Sequence, residues 1–333
     1  MTLLPSHDSR RPVTTFKKTG LNIGLHAQTL ERADGIISGS EVTTYGLKKA
    51  FEKRNDVNRV SRYGPGNYTS LDTDNLDLLV IEGWDTTLPK FIQVVREHNP
   101  HVKIFFWNLS FLGIQDIVKL VVDGYFTNSR KALPILETIA PSKFIMLAVD
   151  QEQFKPIEPN DTYSHNVTYL GMFHPLKSPA IIEQILCEAL DYGLAIYGHG
   201  WDQHPILKQY WKGRLPFEDI SKLYTSAKIV LGMTEERQKV AGMINNRVFE
   251  ALSCGACFIS EHFPGLEEVF GDTILYSRRR GDTSKHIETL LEDNSYRKTL
   301  GAKGRSLILS HHTYDHRAEE MLDFFRYVSN SGF

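Results

Sequence analysis

Short apolar runs alternate with segments of helical period along the whole chain. "LNIGLHA" at 21–27, "DLLVIEGW" at 77–84 and "VKIFFWN" at 102–108 are continuous enough to be strands buried on both faces. "ISGSEVTTYGLKKAFEKR" follows the first run, with Gly39 and Ser40 ahead of apolar positions at Val42, Tyr45, Leu47 and Phe51 that share a helix face. A helix is predicted over Leu88–His98 and a strand over "GYFTNS". Asn128 or Ser129 then caps a helix over "RKALPILETI", kinked by Pro134, before a last strand "KFIMLAV".

The alternation stops at "VDQEQFKPIEPNDTYSH", which has two prolines and no period, and restarts at "NVTYLGMF". An amphipathic helix over "SPAIIEQILCEALDYG" comes next, then the strand "LAIYGHG", the helix "PFEDISKLYTSA" and the strand "KIVLGMT". "NRVFEALSCG" reads as a short helix closed by Gly255, followed by strands "CFIS" and "TILYS" and a long final helix from Thr313 to Val328. Strands alternating with helices predict α/β architecture with parallel sheets covered on both faces. The boundaries are a polar arm (1–20), a first doubly wound, Rossmann-like domain (21–150), a linker (151–165), a second such domain (166–310) and a terminal helical segment (311–333). Two such sheets leave a cleft, and ligands bind outside the carboxyl ends of the strands.

Composition changes this picture little. A chain of 333 residues with 41% hydrophobic content can bury two cores, and a net charge of -2 gives no global field for nucleic acid or anionic lipid. No apolar run has signal-peptide or membrane-spanning character, so a soluble, cytoplasmic protein is expected. Cys254 and Cys257 form a C-x-x-C, but no second ligand pair lies nearby, and buried, inert thiols are expected.

The chemistry concentrates in "INNRVFEALSCGA" at 244–256. Asn245 or Asn246 can cap the helix, whose first turn then offers free N–H groups and the positive end of a dipole to a phosphate. Arg247 adds a fork of donors suited to phosphate oxygens. Glu250 lies one turn further in, and a carboxylate there can accept both hydroxyls of a ribose diol. A plain amphipathic helix with Glu250 in a salt bridge is the competing reading of these residues.

The order of the neighbouring motifs separates the two. "YLGMFHPLKS", "AIYGHGW", "KGRLPFEDISKLYTSAKIVL" and "VFEALSCGACFIS" resemble the nucleotide-binding half of GT-B glycosyltransferases, in the retaining group that includes glycogen and sucrose synthases. "INNRVFEALSCGACFISE", "GLEEVFGD" and "HHTYDHRAEEML" resemble more narrowly the glycosyltransferases related to the spore-maturation protein CgeB. The resemblance covers roughly residues 165–325, and the first half joins it only through "SGSEVTTYGLKKAF". It implies a GT-B fold whose last helix crosses back to the first domain. It also implies a nucleoside-diphosphate-sugar donor (UDP-, GDP- or dTDP-sugar), retention, and neither metal nor cofactor.

By the same resemblance, Glu250 holds the ribose and Lys177 meets the diphosphate. Gly171 ends the strand before that lysine, Gly213 and Arg214 read the base, and Gly39 and Ser40 approach the phosphates. Departures are equally legible. Gly242 stands where the group has a second glutamate, Met172 where it has an arginine, and Trp107 and Asn108 where a histidine approaches the donor sugar.

Other candidates are weaker. His174 lies beside Lys177 and is a candidate phosphate contact. Glu82 and Asp85 flank Trp84 at a strand end, as acceptor ligands or a base. His311, His312 and His316 suggest packing of the last helix rather than a metal, and "DTDNLD" contains Asp-x-Asp by letters only. The reading that follows is a metal-independent glycosyltransferase, with an acceptor among glycans, lipid-linked glycans, proteins, small molecules and modified nucleic acids. The rivals are a GT-B-shaped epimerase or hydrolase and a non-catalytic nucleotide-sugar-binding protein.

Overall fold

The computed structural model describes residues 20–28, 39–64, 75–84, 86–109, 114–173 and 177–331. The polar arm, His174, Asp85 and the Asp-x-Asp letters fall outside these residues. Two parallel sheets organise the rest. The first contains β1 (Leu21–His26), β2 (Val57–Tyr63), β3 (Leu78–Glu82), β4 (Lys103–Asn108), β5 (Gly124–Thr127) and β6 (Ser142–Phe144), in the order β2-β1-β3-β4-β5-β6. The second contains β7 (Val167–Leu170), β8 (Leu194–Tyr197), β9 (Ile229–Gly232), β10 (Cys257–Glu261) and β11 (Leu275–Ser277), in the order β11-β10-β9-β7-β8. In each sheet the chain winds one way from its first strand and then returns to wind the other way. The reversal falls between β1 and β3 in one sheet and between β7 and β9 in the other.

The helices that matter for the site are α1 (Gly39–Glu52), α2 (Leu88–His98), α3 (Leu133–Leu136), α4 (Pro179–Ile185), α5 (Ile220–Ser226), α6 (Glu236–Ala241), α7 (Asn246–Ser253), α8 (Asp282–Glu292), α9 (Asn294–His311) and α10 (Tyr314–Asn330). Several differ from the expected pattern for identifiable reasons. β2, "VNRVSRY", is an edge strand and only partly buried, so it shows no continuous apolar run. β6 stops at Phe144, short of the expected "KFIMLAV". The kinked helix contracts to the single turn of α3 around Pro134, and it is Ser129 Oγ that accepts from Ala132 N, at 3.1 Å. The helix expected up to Gly193 breaks after α4 into a 3-10 turn over Cys187–Tyr192, closed where Gly193 takes φ +74°. α8 and α9 carry so many polar residues that their periods escaped the pattern.

The last helix belongs to the first domain's core. Ala318, Met321, Leu322 and Phe325 of α10 are buried with Ile23, Leu47 and Phe51. Thr313 caps it, exchanging hydrogen bonds with His316 in a capping box. His312 is buried and its Nδ1 meets Arg317 Nη2 at 2.9 Å. The chain thus passes between the halves at two adjacent points. Val149 N donates to His312 O and Tyr314 N to Val149 O, each at 3.0 Å. Arg317 fastens this crossing by donating to Met146 O at 2.8 Å and Leu147 O at 3.2 Å. Cys254 and Cys257 are buried at the end of α7 and the start of β10, and burial pushes each thiol up to about 12, far from a nucleophilic thiolate at neutral pH.

α1 and α10 approach so closely at Gly46 that a Cβ there would enter the Tyr314 ring. Gly46→Ala gains about 1 kcal/mol of helix propensity, yet overpacking of this kind costs about 1–3 kcal/mol. The variant is expected to unfold at lower urea than the parent when followed by circular dichroism; an unchanged or higher midpoint would show that the two helices can part freely.

Candidate functional site

The carboxyl ends of both sheets open into one cleft of about 550 Å³. On the first domain's side, β1 runs out to Gln28, β3 ends at Glu82, and α1 begins at Gly39 and Ser40. Ser40, the second residue of α1, ties the two strand ends together. Its hydroxyl donates to Glu82 Oε2 and accepts from Gln28 N at 2.9 Å. On the second domain's side, β7 ends at Leu170 and Gly171, and β9 runs out to Met233. Arg247, the second residue of α7, ties these ends in turn. Its Nε donates to Leu170 O and its Nη1 to Met233 O at 3.1 Å. A Cβ placed on Gly39 would come 4.0 Å from Asn246 Nδ2, so the starts of α1 and α7 face each other across the cleft. Two helix N-termini with their free N–H groups therefore point into the same space.

Glu250 lines the cleft one turn inside α7, and its carboxylate has no hydrogen-bond partner among the described residues. Burial lifts it to about 7, against the pull of Arg247. Glu82, on the opposite wall, is 7% exposed and is also lifted by burial to about 7, although the Ser40 hydroxyl and the Gln28 backbone N–H pull it down. Tyr224 of α5 sits on the Glu250 side with its hydroxyl buried and without a partner among the described residues. Phe217, Ile220 and Tyr224 form an apolar wall beside Glu250. They stand on one face of α5 and the turn before it, a spacing that in the sequence looks like ordinary core.

The remaining candidates separate by position. Asn245 is the residue before α7, yet its side chain caps nothing; its Nδ2 donates to Met233 O at 3.2 Å and Thr234 Oγ1 at 3.3 Å. The first-turn N–H groups are consequently left open toward the cleft. Gly171 lines the cleft, and a Cβ there would run into Arg247 Nη2 and the Tyr169 hydroxyl. Lys177 stands behind it, with Nζ donating to Tyr169 Oη at 3.1 Å. Gly213 takes φ +102° and its carbonyl accepts from Gly198 N at 2.9 Å, beside β8 and away from the cleft's lining. Arg214 is exposed and meets His199 Nδ1 at 3.1 Å, also outside that lining. Asn108, a catalytic candidate because it stands where the resembling group brings a histidine to the donor sugar, does not line the cleft. Its side chain is 3% exposed and turned to Thr127 Oγ1 at 3.5 Å, while Leu109 lines the cleft.

Gly242 ends α6 with φ +69° and does not reach the cleft, but Gln238 of the same helix does. A neutral amide thus enters the cleft four residues before the position where the sequence comparison sought a carboxylate. Among the described residues no group of three or more His, Cys, Asp or Glu could hold a metal ion, and no helix is long and apolar enough to cross a membrane.

Between the ordinary carboxyl value of 4.5 and about 7, the folded chain keeps protons on Glu82 and Glu250 that the unfolded chain releases. Stability contributed by these groups is therefore lost as pH rises through that window. Glu82→Gln and Glu250→Gln should each raise the melting temperature at pH 8 by a few degrees and leave it nearly unchanged at pH 4.5. Equal shifts at both pH values would mean that neither carboxyl is buried as described.

Residues 178–323 match a protein-family model described as glycosyl transferase-like. No curated protein matches the sequence. Solved structures resemble the chain over both domains. Sucrose-phosphate synthase from Thermosynechococcus elongatus superposes with a TM-score of 0.66 at 13% identity, covering 93% of this chain and 100% of that one. The β-glucosyltransferase of T4 phage, in complex with its UDP-glucose substrate, gives 0.63 at 12% identity over 92% of this chain and 99% of that one. HepE from Anabaena, in complex with UDP-glucose, gives 0.62 at 11% identity over 91% and 99%. The chain has the GT-B fold of these glycosyltransferases, two Rossmann-like domains facing one cleft, and its second half carries glycosyl transferase-like sequence.

Proposed function

We propose that the cleft binds a nucleoside-diphosphate sugar and that the chain transfers the sugar to an acceptor hydroxyl. The observation that carries this reading is the meeting of two helix N-termini at one space, with a half-buried carboxylate one turn inside α7 that has no hydrogen-bond partner among the described residues. The diphosphate lies between the starts of α1 and α7, near Ser40, Asn246 and Arg247. The ribose hydroxyls donate to Glu250, which becomes fully charged once they do so. The base rests against Phe217 and Ile220. Gln238 reaches the sugar, and a neutral amide there suits hydroxyl groups without adding a third charge.

As the bond to the sugar breaks, negative charge grows on the leaving diphosphate, and the helix termini and Arg247 stabilise it without reorganising. These fixed positive groups make the reaction metal-independent. Glu82 faces the donor from the first domain and takes the proton of the acceptor hydroxyl as its oxygen bonds to the sugar carbon and the nucleoside diphosphate leaves, with one carboxylate oxygen fixed by Ser40. A UDP-hexose is the donor we favour, supported by the UDP-glucose complexes of two proteins of the same fold. Kinship with the CgeB-type enzymes and a retaining course rest on the sequence resemblance. A cytoplasmic setting suits the unpaired Cys254 and Cys257.

Calorimetric titration of UDP, GDP, dTDP and ADP tests the reading. One nucleotide, UDP by this reading, should bind, and Glu250→Ala should weaken it about tenfold or more, as for lost charge-assisted hydrogen bonds. Equal binding by the variant would remove the ribose assignment. Glu82→Gln should bind UDP as the parent does and lose turnover of UDP-glucose by about 100-fold or more, the scale of a lost general base. Turnover should survive EDTA; loss on chelation, restored by Mg²⁺ or Mn²⁺, would replace the metal-free account.

A further inference from the structure

Two cations converge on one buried phenol behind the cleft. Tyr169, in β7, is fully buried. The Arg247 guanidinium lies 4.8 Å from its ring centroid, and Lys177 Nζ donates to its hydroxyl at 3.1 Å. Neither cation forms an ion pair among the described residues, so positive charge is concentrated here without a carboxylate in contact. The phenol hydroxyl abuts Gly171, 2.6 Å from where a Cβ would sit, and Gly171 is part of the cleft's lining. Burial pushes the phenol up, yet Arg247 and Lys177 together hold it below the usual tyrosine range. The chain therefore keeps two like charges close together beside a cleft backbone, with Glu250 and Glu261 acting on Arg247 only through space and not as contact ion pairs, an arrangement that favours an anionic ligand.

We infer that Tyr169 is a positioning residue that sets Lys177 and Arg247 as one two-cation seat for the donor's diphosphate. The inference rests on the donor reading above and adds to it a residue that never touches the chemistry. Arg247 has already spent Nε and Nη1 on the strand ends, which leaves Nη2, beside Gly171, as the donor nearest the cleft. Lys177 lies outside the cleft's lining, anchored on the Tyr169 hydroxyl that abuts the lining residue Gly171. The ring supports one cation through its face and the hydroxyl holds the other, so a single side chain fixes the spacing of both.

The experiment compares uridine with UDP on the parent, Tyr169→Phe, Lys177→Gln and the double variant. Phenylalanine keeps the ring and deletes only the hydroxyl. Tyr169→Phe should lose about tenfold in UDP affinity and nothing in uridine affinity, and the double variant should bind UDP no worse than Lys177→Gln alone. Two outcomes would overturn the inference. One is that Tyr169→Phe keeps the parent's ratio of UDP to uridine affinity, which would make Tyr169 a packing residue. Alternatively the two losses multiply in the double variant, which would make Lys177 independent of it. If Tyr169→Phe does not fold, Lys177→Gln decides: an unchanged UDP-to-uridine ratio rejects the seat. Failure of the underlying reading looks different, because the parent itself would then bind UDP no better than uridine.

Discussion

One motif of hydrogen bonding, used twice, holds the cleft in shape. In each domain the sheet reverses its winding between two neighbouring strands, and the second residue of a helix ties those two strand ends together. Ser40 joins the ends of β1 and β3, and Arg247 joins the ends of β7 and β9. Strand ends at a reversal splay apart because their following segments leave in opposite directions. Carbonyls exposed there need donors, and a guanidinium fork supplies two in one plane. Because these ties are made by helix starts, they also aim the unsatisfied N–H groups of α1 and α7 into the gap. The proposed phosphate seat would thus arise from the same bonds that close the sheets.

Electrostatics then divides the cleft by kind. Arg247 and Lys177 sit on the second domain, grouped on Tyr169. Glu82 and Glu250 sit on opposite walls, each destabilised as an anion by burial. Neither carboxylate is relieved by a salt bridge, so ligand hydroxyls that hydrogen-bond to them gain more than the same hydroxyls would in water. A carboxylate raised to about 7 is partly protonated at neutral pH, and donation from a bound diol pulls it back to the charged form. On the proposed binding mode, ligand binding and proton uptake or release are linked at Glu250.

The sequence made much of this legible, and its limits are physical. Buried parallel strands announce themselves as apolar runs, so β3, β4, β7 and β9 were readable, whereas the half-polar edge strand β2 was not. Glu250 stood out because a charge beside Phe249, Ala251 and Leu252 breaks an apolar pattern. Phe217, Ile220 and Tyr224 did not, because an apolar cleft wall has the same spacing as a core helix. Asn108 is suggested by the resemblance, as the residue standing where a histidine approaches the donor sugar, but β4 presents alternate side chains to alternate directions, and the amide turns toward Thr127. Arg247 was expected to spend its fork on a ligand. The structure uses most of it on backbone carbonyls, a demand that only the sheet's reversal reveals.

The two crossings between the domains bear on how such a cleft works. Val149 and Thr313 form a parallel bridge, so the outgoing and returning strands of chain move as one short ribbon. Elsewhere the halves meet through a buried hydrogen bond from Ser129 Oγ to Ala241 O at 2.6 Å, through Val42, Leu109 and Leu147 packed with the second domain's core, and through the exposed pair of Arg130 and Glu268 at 2.7 Å, which holds weakly. A narrow ribbon of chain between two domains is the mechanical form of a hinge. The ribbon's own cross-ties, Lys49 to Asp150 and Arg317 to Met146 and Leu147, lie on the first domain, where α10 is part of the core. Rotation about it would move α7, Glu250 and the cations as a rigid group toward Glu82 and Ser40. It would bring the phosphate seat against the helix start that faces it and shed water from both carboxylates at once.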